Sequence, residues 1–131
     1  MSFRIVASAN GVLSVSYGVA ALIAPAVLSS LYGVDLTDRE GMMVRLLGAS
    51  YLSIGVIAWA ARGVSEAVAQ AAIAAGAAAG WGLSAPVFVV GLLAGHANAF
   101  GWTIPALQIA FAIAWSLVLL GSRRRGARAT A

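Results

Sequence analysis

The stretch "EAVAQAAIAAGAAAGWGLSAPVFVVGLLAG", residues 66–95, decides the fold. Past Glu66 it carries no acidic or basic residue, and at 1.5 Å per residue it is long enough to cross ~30 Å of hydrocarbon. Its first half is nearly all alanine and glycine, with little of the leucine and isoleucine that favour insertion. What such a surface does well is let a neighbouring backbone come close. A span built this thin is a packing element, and what packs on it is the question the rest of the chain must answer.

The composition agrees with a membrane setting. The 131 residues are 62% hydrophobic and 9% charged, with mean hydropathy +0.96. Soluble domains carry about 45–50% apolar and about 25% charged residues. One domain of an integral membrane protein is the reading that fits. Cysteine is absent, which excludes disulfides, thiolate metal sites and a thiol nucleophile. The net charge is +4 and every basic residue is arginine. Arg123, Arg124, Arg125 and Arg128 follow directly on an apolar helix. That placement reads as a topology signal and a contact for anionic lipid or an acidic partner, and no nucleic-acid partner is expected.

Four spans are expected. The first runs from about residue 3 to 31, bent by Pro25, with "VLSSLYG" stopping at Gly33. Arg4, an apolar run and "APA" at 24–26 have the outline of a signal peptide, but Asn10, Ser14 and Ser16 interrupt it. The second span, 38–62, opens on the capping box "TDRE", in which Thr37 and Glu40 satisfy each other's first-turn amides, and stops at Gly63. The third, 66–95, takes Ser65 as its N-cap and a kink at Pro86. The fourth, 104–120, takes Thr103 as cap and Gly121 as stop. Residues 1–121 thus form an all-α, integral membrane four-helix bundle, and 122–131 a basic cytoplasmic tail.

Orientation follows from the arginines. With both termini inside, the cytoplasmic side holds Arg4, Arg62 and the four tail arginines, against Arg39 and Arg45 outside beside Asp35, Asp38 and Glu40. The positive-inside rule therefore places both termini in the cytoplasm of a bacterial inner membrane. Tyr32 and Trp102 then mark the outer interface, and Trp59 and Trp115 the inner one.

The small residues fall into stripes. Ala72, Gly76, Gly80 and Ser84 recur every four residues on the third span, and Ala7, Gly11, Ser14, Gly18 and Ala21 form a strip on the first. Gly48 and Gly55 do the same on the second. Packing inside the bundle and a face for a partner helix both remain open. The third span, small on nearly all sides, has more such surface than one bundle contact uses.

Chemistry is sparse. His96, Asp35, Asp38, Glu40 and Glu66 all fall in loops or first turns, where capping and dipole roles account for the acids. No metal-ligand spacing, phosphate loop or serine motif occurs. A proton- or ion-coupled carrier needs an ionisable group at depth, and the polar residues expected there are neutral, Asn10, Gln70 and Gln108 among them. Asn10 is expected to pair with Gln70, and Gln108 with Ser84. Arg45, two turns into the second span, must snorkel outward or pair with Asp35, Asp38 or another chain. No cofactor and no enzymatic activity are expected.

"APAVLSSLYGVDL" followed by "VRLLGASYLSIGVIAWAAR" resembles small four-helix bacterial membrane proteins of uncharacterised function, of actinobacterial type, and is distantly similar to the DoxX-like proteins. The resemblance covers roughly residues 20–62: a proline near the end of the first helix, an "LYGV" stop, and Arg45, Gly48 and Ala49 opening the second. It implies a four-helix fold and no catalytic residue. It also implies membership of an envelope in which small membrane subunits accompany large lipid-transport machines, including mammalian-cell-entry (MCE) type importers. The expected function is that of a non-enzymatic accessory or stabilising subunit of such a complex, with other integral membrane proteins as partners. The alternative is a DoxX-like redox-linked or carrier protein acting as a homo-oligomer.

Overall fold

The computed structural model describes residues 2–129, with side chains for residues 2–123. Five α-helices and one short 3-10 turn (Ala99–Trp102) account for the fold: α1 (Phe3–Ile23), α2 (Pro25–Leu31), α3 (Asp38–Ala61), α4 (Ala67–Leu93) and α5 (Thr103–Ala129). Four segments are long and apolar enough to cross a membrane: α1, α3, α4 and Ala99–Arg123. The protein is an all-α, multi-pass membrane helix bundle.

The helices form two hairpins. α1 packs along α3 and α4 along α5, α1 meets α5 more narrowly, and α3 and α4 barely touch. The first hairpin is held by glycines. A Cβ on Gly18 would stand 2.6 Å from the Leu52 nitrogen and 2.7 Å from the Gly48 carbonyl oxygen. One on Gly55 would stand 2.6 Å from the Val15 nitrogen. Two backbones this close leave no room for a methyl group, which is the small-residue geometry expected of spans in lipid. The start of α1 and the second half of α5 meet at one end, where Phe3, Val6, Ala61, Ala74, Trp115 and Val118 form the core.

Several boundaries differ from those expected. The first span is two helices: Ala24 leaves the helical region (φ −135°, ψ 59°) because Pro25 has no N–H and starts a new helix at its tolerated first position. Gly33, at φ 73°, makes the stop. The Thr37–Glu40 capping box is present in full, and α3 ends at Ala61 with Arg62 as C-cap. The Arg62 guanidinium donates to the Trp59 carbonyl at 2.6 Å and lies 4.0 Å from the Trp59 ring centroid. Glu66, not Ser65, is the N-cap of α4, with no side-chain bond. α4 runs unbroken through Pro86.

At the far end Thr103 is already helical, its hydroxyl donating to the Phe100 carbonyl at 2.8 Å. Asn98 caps the preceding 3-10 turn, its side chain accepting from the Phe100 amide. α5 continues past Gly121 to Ala129. Glycine costs a helix only about 1 kcal/mol, and nothing there forces a left-handed turn, so the stop does not operate. The expected tail begins as helix. Side chains of Arg124, Arg125 and Arg128 lie outside the described residues, while Arg123 is exposed.

Candidate functional site

The bundle has four sides: α1/α3 and α4/α5 are closely packed, α1 and α5 meet narrowly, and α3 and α4 barely touch. On the α3/α4 side lies a groove of ≈ 460 Å³. The whole stripe of Ala72, Gly76, Gly80 and Ser84 faces it, opposite Leu47, Ile54 and Ile57 of α3. A Cβ added to Gly76 or Gly80 would meet nothing within 4 Å. Only 11% of the α4 span is buried, against 39% of the α1 span. Ala72, Gly76 and Gly80 of the α4 stripe are therefore exposed along the groove, while Ser84 is half-buried.

The α1 strip behaves in the opposite way. Ala7, Gly11, Ser14, Gly18 and Ala21 are all buried, and Gly11, Gly18 and Ala21 are in contact with α3. Of the two readings left open for Gly11, Ser14 and Gly18, packing inside the bundle is the one these contacts support. Small-residue spacing says that a backbone can approach closely, and it does not say whose.

Asn10 forms the floor of the groove together with Trp115. Neither expected polar pair forms. The Trp81 indole N–H donates to the Asn10 amide oxygen at 2.7 Å, and Gln70 donates to the Val64 carbonyl at 2.8 Å. Ser84 donates to the Trp81 carbonyl, one turn back on its own helix. Trp115 is buried inside the bundle, edge-on to Phe3 at 5.6 Å, and its N–H has no acceptor. The Arg45 Nε donates to the Leu22 carbonyl at 3.4 Å. That carbonyl lies in the last turn of α1, just before the Ala24–Pro25 break.

On the opposite, α1/α5 side is a cavity of ≈ 120 Å³ with Leu13 and Leu107 as its exposed rim. Its inner wall is aromatic. Tyr17 packs on Tyr51 (4.9 Å between centroids), Tyr51 on Trp81 (5.9 Å) and Trp81 on Phe111 (5.3 Å). The bond to Asn10 holds Trp81 in that row. Two lining residues, Ser14 and Gln108, have side-chain polar atoms with no hydrogen-bond partner, and Gln108 is 1% exposed. The Tyr51 hydroxyl is within interaction range of the Gln108 amide, yet neither Gln108 side-chain atom makes a hydrogen bond. An unpaired amide in an apolar setting costs on the order of 2–7 kcal/mol.

Trp81 and Asn98 escape a reading based on charge and motif. Trp81 is legible afterwards as the single aromatic residue in an alanine–glycine run. Asn98 ties the two loops at the far end: its amide nitrogen Nδ2 donates to the Leu31 carbonyl at 3.0 Å and its main-chain N–H to the Tyr32 carbonyl at 2.8 Å. Among the described residues no three His, Asp or Glu side chains gather as a metal site. Comparison with family models, curated proteins and solved structures finds no match to this chain. The residues themselves carry the functional reading.

Proposed function

We propose that the protein is a non-enzymatic accessory subunit that seats a transmembrane helix of a larger complex in the α3/α4 groove. One observation supports this above the others: Gly76 and Gly80 expose their backbone to open space along a groove of ≈ 460 Å³. Glycines at this spacing weaken insertion and leave a helix with less to offer lipid than leucine would. Their physical use is close approach of a second backbone. Within the chain that use is made of Gly18, Gly48 and Gly55, and α4 repeats the pattern with no occupant. Trp115 adds an indole N–H without an acceptor at the floor.

In this reading the membrane is the bacterial inner membrane, both termini face the cytoplasm, and the arginines from Arg123 onward engage anionic lipid or an acidic partner surface. The resemblance to actinobacterial four-helix proteins, distantly DoxX-like, favours an envelope complex, with MCE-type lipid importers as the first class to test. Purification of the tagged chain in a mild detergent, followed by mass spectrometry, tests the proposal. Larger membrane proteins at fixed stoichiometry are expected, and Gly80→Leu is expected to lose them. A self-oligomer or a bound coloured cofactor in their place supports the DoxX-like carrier alternative and overturns the accessory reading.

A further inference from the structure

The α1/α5 cavity backs onto the proposed docking groove, with Tyr51 and Trp81 lining both, but the docking reading makes no use of it. We propose that it binds a small, neutral, lipid-soluble ring compound bearing a hydroxyl group, about the size of a phenol, held by the side chains of Gln108 and Ser14. Four features select that class.

The first is the unpaired amide. Gln108 is 1% exposed, lines the cavity, and leaves both Nε2 and Oε1 without a partner; the Ser14 hydroxyl is likewise unpaired. Buried amides are normally satisfied, and more strictly so where no water is at hand. Gln108 offers a donor and an acceptor side by side, and a hydroxyl is the smallest organic group that answers both. The second feature is the wall. Tyr17, Tyr51, Trp81 and Phe111 line the cavity in a row of ring contacts, tilted at Tyr17–Tyr51 and Tyr51–Trp81 and stacked at Trp81–Phe111, an aromatic surface against which a flat ring packs well.

Size is the third feature. At ≈ 120 Å³ the cavity is close to the ~150 Å³ apolar cavities known to hold benzene. Charge is the fourth: no acidic or basic side chain lines the cavity, so an ionised ligand would enter without a counter-charge. The rim residues Leu13 and Leu107 are exposed on spanning helices, so the ligand arrives from the lipid phase.

The test uses the full chain in nanodiscs, with 4-fluorophenol as probe and fluorobenzene as its hydroxyl-free control, both read by fluorine NMR. Saturable binding of 4-fluorophenol is expected, with fluorobenzene about tenfold weaker or worse, the penalty of leaving the amide unpaired. Gln108→Leu is expected to weaken 4-fluorophenol by a similar factor and to leave fluorobenzene unchanged. A signal that rises linearly, as in empty nanodiscs, overturns the proposal. Saturable binding indifferent to the hydroxyl also overturns it. Should Gln108→Leu fail to fold, the ratio of the two probes on the unaltered chain decides alone.

Discussion

The Trp81 indole N–H donates to the Asn10 side chain at 2.7 Å, 71 residues away in sequence, and so ties α4 to α1. It is a side-chain bond between two hairpins whose direct contact is otherwise narrow. Asn10→Ala is expected to lower the unfolding free energy by about 1–2 kcal/mol, the range for a buried interhelical bond in a membrane. Trp81→Phe removes the same bond, leaves the buried Asn10 amide oxygen without its donor and loses indole packing, so it should cost at least as much. Unfolding in mixed micelles, run as a double-mutant cycle, measures the coupling, and additive losses would show that the bond contributes nothing.

Two sets of glycines should respond in opposite ways to alanine. Gly18→Ala places a methyl 2.6 Å from the Leu52 nitrogen and 2.7 Å from the Gly48 oxygen. These are backbone atoms that cannot rotate aside, so a loss of about 1–3 kcal/mol is expected. Gly76→Ala and Gly80→Ala meet nothing within 4 Å and should leave stability unchanged or raise it by up to about 1 kcal/mol. Thermal unfolding in detergent separates the sets, and equal losses in both would mean that the groove closes.

This contrast marks how far the sequence can be read. Hydropathy and length place all four spans, and the Thr37–Glu40 box and Gly33 are legible because each acts on its own neighbours in the chain. Gly11 and Gly76 look alike in sequence, yet one is buried against Trp59 and Gly55 and the other faces open space. The difference lies in which side of the square is left unpaired, a global property that no local spacing encodes. The polar pairs fail for a related reason. Asn10 finds an indole N–H that a search among amides and hydroxyls passes over, and Gln108 looks into a cavity that only the assembled aromatics create.

Asn98 should control the far end without touching the core. Asn98→Ala removes the bond to Leu31 and the cap on the Phe100 amide, while its main-chain bond to Tyr32 persists. Faster hydrogen exchange at the Phe100 amide is expected, with a stability loss of about 1 kcal/mol. Exchange unchanged at that amide would remove the role given to the side chain.

Arg45→Ala is expected to weaken folding by about 1 kcal/mol, because the Leu22 carbonyl loses the donor that covers it beside the Pro25 break. A detergent unfolding curve identical to that of the parent would show that the arginine only reaches for the headgroups.

The central claim is that α4 keeps its small face for another protein. A photo-crosslinking residue placed at Gly76 or Gly80 in cells tests it most directly, with Val12, exposed on α1, as the lipid-facing reference. A discrete adduct with one larger membrane protein at both groove positions, and none at Val12, is predicted. Lipid adducts alone at all three positions would contradict the account.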